Sequence, residues 1–533
     1  MKREILFGRK DYLDILDKRI SDLREGYRQN LAIIGDEFIG KTSILFNFLD
    51  NFYDNRLVIT YIEIRPESLS SFSKRFIGVL LYNFLLNSGV PLQENIDYLI
   101  AKSEKYIPKT VEKIKYILSA LERRKKNNIF SELLSLFEAI NQETGKSCVA
   151  IFDEFHNFEN MGVKDLYPEW SKLLITQKNT MYIIASSRKI KAKSILSKNL
   201  SLLFGNFEII MVEPFDINTS EEYLNSRLAG TGLSAEFKKF IINFSGGVPF
   251  YLDMFSKELL KVNPSGLVDM LEELLFMPTG ILNQKFSAYL KRFLDIPYSQ
   301  DYISILYLIS EGHNRLKDIG HILRKQRKEL LARANYLAEM DAISRNGDFL
   351  NINDRVFSFW IRFVYQEKLQ SLTFDSRNQK VAFRDKIENM IQEFLSSDSK
   401  SPVERTVELM HLFGDDTIHM EKKRVRLTHF REIKAMEFHN RCLRDGVIGR
   451  SHDDLWIIAF KRGALTEEDI IEFSRECKKY RQKTQKKIIV TLEDIDSNTR
   501  LRALEEKILA WDMNKLNQLF DLFSKPRIIT CKQ

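Results

Sequence analysis

The chain has 533 residues, 44% of them hydrophobic and 29% charged, with only 11 prolines. That composition excludes a disordered chain, and the length exceeds what one hydrophobic core of about 100–200 residues holds, so several modules are expected. The net charge of +8, from 81 basic and 73 acidic residues, excludes a uniformly polybasic protein: nucleic acid is permitted as a partner only through local clustering. Cys148, Cys442, Cys477 and Cys531 show no paired spacing, which points to a reducing, intracellular setting. The N-terminal stretch lacks the apolar core of a signal peptide, and "FIGVLLYNFLLNSGV" is too short and interrupted to span a bilayer. A cytoplasmic protein without membrane contact is expected.

In chain order, the first strong signal is "NLAIIGDEFIGKTSILFNF", Asn30 to Phe48. An apolar run ends at Gly35, and helical spacing begins at Lys41, the strand, loop and helix context that G-x-x-x-x-G-K-[ST] (the Walker A pattern) requires. Such a loop holds phosphates on successive backbone N–H groups and on the positive end of the following helix. The nucleotide is therefore expected on Gly35, Ile39, Gly40, Lys41, Thr42 and Ser43, with Lys41 reaching the terminal phosphates and Thr42 giving an oxygen to magnesium. Asp36 and Glu37 occupy variable positions whose side chains can point away from the anion. A second strand, "LVITYIEI" at Leu57 to Ile64, is followed by a long helical stretch, Ser68 to Thr144, with a basic run "ERRKKNN" at Glu122 to Asn128 that reads as a solvated helix end.

Next, "SCVAIFDEF" is a buried strand delivering two carboxylates, a Walker B pattern: Asp153 for the hydration shell of Mg2+ and Glu154 to polarise the attacking water. This pair favours hydrolysis over storage of ATP. The strand "TMYIIASSRKI" ends in Ser186 and Ser187, either of which can sense the terminal phosphate, and in Arg188, which can stabilise charge. With "FEIIMVEPF" these pieces predict an α/β unit, a mostly parallel five-stranded P-loop NTPase sheet with helices on both faces.

These motifs, with "FGRKDYLDIL" near the start and "FSGGVPFYLDMF" at Phe244 to Phe255, resemble the archaeal-type ATPases of the STAND and AAA-like P-loop class. The resemblance implies that Gly8 and Arg9 lie beside the adenine and that Gly247, Val248 and Pro249 form the Gly-x-Pro element of a lid. Members of this family usually carry basic residues where this loop has Asp36 and Glu37. The core is expected over residues 1–212, with its insertion at 68–144, and a helical lid over 213–287. Thr219 or Ser220 and Ser234 read as helix N-caps and Gly246 as a stop.

From Tyr302 the pattern predicts a helix, a short helix over Leu316 to Leu323, a longer one from about Gln326 to Glu339, and a hairpin turning at Asn346-Gly347. Three helices and a hairpin make a winged helix-turn-helix, placed at 288–370. Arg324, Lys325, Arg327, Lys328 and Arg333 cluster on its third helix and could meet phosphates and base edges of double-stranded DNA. The same face could equally be solvated, with the module packed against the rest of the chain. "NDRVFSFWIRFVYQ", Asn353 to Gln366, is similar to the segment closing this module in the same family, and reads from its residues as a packed aromatic helix.

A helical linker over 371–402, ending in "SSDSKSP", precedes a last module at 403–533. Its order of elements resembles the PD-(D/E)XK nuclease-like, restriction-endonuclease-like α/β domain. By that resemblance Glu404, Asp445 and Lys461 are the remains of a nuclease site, while Ala459 stands two residues before the lysine where a carboxylate is needed. Nuclease activity is not expected. His411, His419, His429, His439 and His452 match no zinc spacing. The favoured reading is an ATP-hydrolysing molecular switch whose nucleotide state governs contact with DNA or a protein partner. Its rivals are an ATP-regulated nuclease or mobile-element effector, and a nucleotide-bound scaffold without enzymatic activity.

Overall fold

The computed structural model describes residues 6–86, 90–123, 128–201, 207–261, 266–366, 376–420, 423–438, 443–480, 484–491 and 495–530. Most of the basic run at 122–128, Cys442, Cys531, His439 and the expected boundary at 370 lie outside them. The chain forms two compact units, Met1–Phe215 and Asp216–Gln533.

In the first unit Asn30–Ile34 (β1), Leu57–Glu63 (β2), Ser147–Asp153 (β3), Thr180–Ser186 (β4) and Phe207–Met211 (β5) form a sheet in the order β2-β3-β4-β1-β5. Every neighbouring pair is parallel. β1 and β4 are buried at every position, which is why they read as continuous apolar runs rather than alternating ones. Because all five strands point one way, Gly35, Asp153 and Ser186 arrive at the same rim of the sheet, outside the carboxyl ends where such folds bind ligands.

Helices Lys10–Arg24 (α1) and Lys41–Asn51 (α2) flank β1 in sequence, and between β2 and β3 stand Leu69–Leu86 (α3), Ile96–Ser103 (α4), Pro108–Glu122 (α5) and Ile129–Thr144 (α6). Their buried Phe72, Phe76, Phe130 and Phe137 join Phe152 and Trp170 in one aromatic core beneath the sheet. Leu166–Thr176 (α7) and Lys189–Ser194 (α8) bracket β4.

The second unit opens with Ile217–Arg227 (α9), Ala235–Ser245 (α10), Pro249–Leu259 (α11), Leu267–Leu271 (α12) and Ile281–Leu294 (α13). The N-cap of α9 is Asp216, not Thr219 or Ser220: its carboxylate accepts the Thr219 N–H at 2.7 Å, so Thr219 is the residue being capped. Ser234 caps α10, and Gly246 ends it in the left-handed region at φ +66°.

Ser299–Ser310 (α14), Leu316–Leu323 (α15) and Arg327–Glu339 (α16) lead into the antiparallel hairpin Ile343–Asn346 (β6) and Phe349–Ile352 (β7). Arg355–Trp360 (α17) carries the aromatic cluster inward, with the Trp360 Nε1–H on Asn283 Oδ1 at 3.0 Å. Ser376–Asp398 (α18) runs through the first three residues of the expected "SSDSKSP" linker, and Pro402–Met410 (α19) starts at its last.

The remaining chain supplies Asp416–Met420 (β8) paired with Lys423–Leu427 (β9), and a five-stranded sheet of Glu432–Glu437 (β10), Asp445–Arg450 (β11), Asp454–Lys461 (β12), Thr484–Thr491 (β13) and Ile508–Asp512 (β14). β10 to β12 are antiparallel, and β12 to β14 parallel through Glu467–Cys477 (α20) and Ser497–Glu505 (α21). Met513–Leu522 (α22) closes the unit.

The β6–β7 hairpin is not a free appendage. The Asp348 N–H donates to the Thr417 carbonyl at 2.9 Å, the Thr417 N–H returns a bond to Asp348 Oδ2 at 2.9 Å, and the His419 N–H donates to Asn346 Oδ1 at 2.6 Å. Phe349 is buried in the same core as Leu409, Phe413, Trp456 and Phe520. Arg315 reinforces the contact from the start of α15, with its Nε 2.8 Å from Asp416 Oδ2.

Candidate nucleotide site

The loop between β1 and α2 is shaped by two backbone positions in the left-handed region, Phe38 at φ +64° and Gly40 at φ +96°. Gly35 is required for a different reason: a Cβ there would stand 2.6 Å from the Val212 carbonyl oxygen. The Lys41 ammonium is buried and turned back onto the loop, donating to the carbonyls of Gly35 at 3.1 Å and Asp36 at 2.8 Å. Burial pushes its pKa below the ordinary lysine value, against the opposing pull of the Glu154 and Asp153 carboxylates. A phosphate at the ammonium would offset that burial cost. Ile39 is buried and Ser43 exposed.

Asp36 is answered across the loop. Its Oδ2 lies 2.8 Å from Lys189 Nζ, just after β4, so the carboxylate meets a cation and ties the phosphate loop to the Ser186–Arg188 turn. Arg9 Nη2 donates to the Ile39 carbonyl at 2.9 Å while the guanidinium stacks over Phe215 at 4.6 Å. It braces the loop from behind. Gly8, at φ +61°, precedes it at the start of α1.

Asp153 ends β3 with its Oδ2 accepting from two hydroxyls, Thr42 at 2.8 Å and Tyr61 at 2.8 Å. A threonine oxygen and a carboxylate at hydrogen-bond distance, both at the foot of the phosphate loop, suit a hydrated magnesium ion; Thr42 and Asp153 are the residues that would hold it. Glu154, at φ +53°, turns its carboxylate onto Ser187, accepting from the hydroxyl at 2.8 Å and the N–H at 3.0 Å. Burial pushes Glu154 above the ordinary range, partly offset by the Ser187 bonds and Lys41.

His156 Nδ1 lies 2.9 Å from Ser186 Oγ and 3.2 Å from Glu154 Oε2, and burial pushes its pKa down to about 3. Ser186 is thereby engaged inside the fold, leaving Ser187 as the serine that touches the acid. Arg188 is half-buried at the same turn.

Thus Lys41, Thr42, Asp153, Glu154, Ser187 and Arg188 come from three strand ends to one rim. Tyr61, His156 and Lys189 belong to the same cluster; Tyr61 and Lys189 lie inside strand stretches read from the sequence, but no pattern there assigns any of the three a role. Pro249 opens α11 in the second unit.

The five basic residues expected on the third helix divide, and Arg324 and Lys325 lie in the turn before α16, not on it. Lys325 and Arg333 both engage Asp301, at 3.0 and 3.3 Å, and Arg333 lies 3.6 Å over the Tyr298 ring, so these two hold α16 and the turn before it to α14 instead of facing outward. Arg324, Arg327 and Lys328 are exposed.

In the last sheet the expected nuclease constellation does not assemble. Gly446 pairs with Ala459, putting Gly446, Ala459 and Lys461 on the face packed against α20. Asp445, one residue earlier, shares the opposite face with Val447 and Phe460. Lys461 binds Asp469 at 3.0 Å, Asp445 faces Arg462 at 3.5 Å, and Glu404 is spent on a capping box with Ser401 at the exposed start of α19. Among the described residues no group of three or more His, Cys, Asp or Glu side chains could hold a metal, which covers His411, His419, His429 and His452. Nor is any described helix long and apolar enough to cross a membrane.

A β2-β3-β4-β1-β5 parallel sheet, a phosphate loop after β1 and an acidic pair after β3 define the first unit as a P-loop nucleoside-triphosphatase fold. No protein-family description and no curated protein matches the chain. Among solved structures it is similar to a Walker-type ATPase of Pyrococcus abyssi, with 19% identity, TM-score 0.49, and coverage of 67% of this chain and 97% of that one. The Aeropyrum pernix ORC2 protein in ADPNP and ADP complexes follows at 11% identity, TM-score 0.41, with 70% and 98% covered. The Aeropyrum pernix ORC1 protein in complex with DNA has 11% identity and TM-score 0.33, with 67% and 92% covered.

Proposed function

We propose that the chain binds ATP with Mg2+ and hydrolyses it, acting as a switch whose nucleotide state governs contact with double-stranded DNA or a protein partner. The observation carrying the ATPase reading is the meeting of Lys41, Thr42, Asp153, Glu154 and Ser187 at one rim. Lys41 would neutralise phosphate charge, Thr42 and Asp153 would hold magnesium, and Glu154 would take the proton of the attacking water once Ser187 releases it. Ser187 would then be free to sense the terminal phosphate. Measuring phosphate release from magnesium-ATP by the wild type, Lys41→Ala and Glu154→Gln proteins tests this: equal rates in all three would overturn it.

The helices α14 to α16 with the β6–β7 hairpin read as a winged helix whose wing is engaged by the β8 strand. What supports DNA contact is the exposed trio Arg324, Arg327 and Lys328; what limits it is the docked hairpin, which leaves the helix as the reading element. We read the C-terminal sheet as nuclease-like from its element order, and the separation of Asp445 from Lys461 supports a binding or structural role over cleavage. The residues read this way supply no hydrolytic metal cage.

A further inference from the structure

A cavity of about 620 Å³ lies within the second unit, between α10, the β6–β7 hairpin, α17, α18 and the tail after α22. That volume falls in the range of about 300–1,000 Å³ typical of small-molecule sites. Its cationic lining is Arg355, Arg362, Lys386, Lys525 and Arg527, against two carboxylates, Glu393 and Asp521. Arg362 is answered from outside the cavity by Glu311 at 2.8 Å. Arg355 and Arg527 share a single counter-ion: both guanidinium groups bind Asp521, Arg527 through Nη2 at 2.7 Å. Asn243 completes the cluster, its Oδ1 accepting from Arg355 Nη1 at 3.1 Å and from the Arg527 N–H at 2.9 Å.

Two arginines on one carboxylate leave a positive surplus in a half-enclosed place. Burial, then the like charge of Arg527, holds Arg355 well below its ordinary pKa, and burial lowers Arg527 to about 10. Arginine stays protonated under any ordinary condition, so these shifts express the cost of burying two like charges side by side on one carboxylate. The same helical stretch that carries Arg355 lines the cavity further along with aromatic residues, Phe359 and Phe363. Phe359 packs edge-on to Phe244 at 5.3 Å and against Phe363 at 4.8 Å; Phe363 is half-buried, with the Arg362 guanidinium 4.7 Å and the Lys386 ammonium 5.7 Å from its ring centre.

We propose that this cavity binds a small organic phosphate with a flat ring, of nucleoside-monophosphate size, its phosphate against Arg355 and Arg527 and its ring against Phe363. Guanidinium pairs grip phosphate oxygens bidentately, and an aromatic wall takes a planar ring with little ordering cost. Because α10, α17 and the tail all contribute to the cluster, an occupant would fix these three segments to one another. This site is separate from the phosphate loop and does not depend on it.

The test titrates the full chain by calorimetry with AMP, with adenosine, which lacks the charge, and with inorganic phosphate, which lacks the ring. AMP is expected to bind the wild type and Lys41→Ala proteins alike, and each fragment at least about 10-fold more weakly. Lys525→Glu, an exposed change at the rim that leaves the Asp521 cluster intact, is expected to weaken AMP by about 10-fold. AMP should also protect the peptides containing Arg355 and Arg527 from phenylglyoxal. AMP binding lost in Lys41→Ala, or unchanged in Lys525→Glu with both arginines still modified, would overturn the proposal, as would no binding at all.

Discussion

Gly347, at φ +63°, stands so close to the backbone of Thr417 that a Cβ at position 347 would overlap the Thr417 carbonyl. Two reciprocal bonds through Asp348 hold that approach. Any larger residue meets both the left-handed backbone cost and the overlap, so Gly347→Val should push the hairpin off β8. A loss of about 1–3 kcal/mol is expected, read as a lowered Tm. If the docked hairpin limits DNA contact, the same variant should bind double-stranded DNA more tightly at fixed salt. An unchanged Tm would remove the contact from the account.

The carboxylates of the phosphate loop should be dispensable for ATP. Asp36 is occupied by Lys189, and in the proposed reading the backbone N–H groups of the loop hold the anion. Replacing Asp36 and Glu37 together by alanine should leave magnesium-ATP affinity equal or tighter, since Lys189 then adds an unpaired cation near the site. Lys41→Ala should weaken it by about 100-fold or more. Calorimetry showing that the double variant no longer binds would refute the backbone account.

The acid limb of ATP turnover should report Glu154. A general base works deprotonated, and burial raises the pKa of Glu154 above its ordinary value of 4.5, so activity falls as pH drops through that raised value. His156, pushed down to about 3, stays neutral across this window and cannot account for the limb. Glu154→Gln should keep ATP binding, lose about 100-fold or more in kcat and lose the limb with it. A Gln variant with wild-type turnover would take Glu154 out of the chemistry.

Local chemistry explains which of these features were legible in the sequence. The loop before Lys41 and the acidic end of β3 are each written in neighbouring residues and stand where their patterns put them, whereas the hairpin turns one residue later than expected, at Gly347-Asp348, because Asn346 still pairs with Phe349. The roles of Tyr61 and Lys189 were not legible, because the partners they meet, Asp153 and Asp36, lie 92 and 153 residues away in the chain and no local spacing links them. The placing of Asp445 failed for a sharper reason: one residue decides a strand face, and the pairing of Gly446 with Ala459 turns Asp445 to the far side. Similarly Thr219 lies in the first turn of α9, and only the bond from its N–H identifies Asp216 as the cap.

DNA affinity should respond unequally to the five basic residues. Arg324, Arg327 and Lys328 are exposed, and each phosphate contact they make should contribute roughly 0.9 to the slope of log affinity against log salt. Replacing all three by alanine should flatten the slope by about 3 at unchanged Tm if all three contact phosphate. Lys325→Ala and Arg333→Ala should instead lower Tm, because they release Asp301. A salt slope untouched by the triple variant would mean that α16 is not the reader.

Restoring the missing carboxylate should not restore a nuclease. Ala459 is fully buried among Ile457, Phe473 and Ile489 on the face against α20, so Glu at 459 would enter an apolar core and not a metal site. Asp445 could not help it, since the sheet itself stands between the two side chains. An unpaired buried carboxylate costs several kcal/mol, so Ala459→Glu should lower Tm markedly, and magnesium should not recover the loss. Neither the native chain nor this variant should cleave DNA with magnesium. Magnesium-dependent stabilisation of Ala459→Glu, or cleavage by the native chain that Asp445→Ala abolishes, would show that the two faces communicate and would return the tail to catalysis.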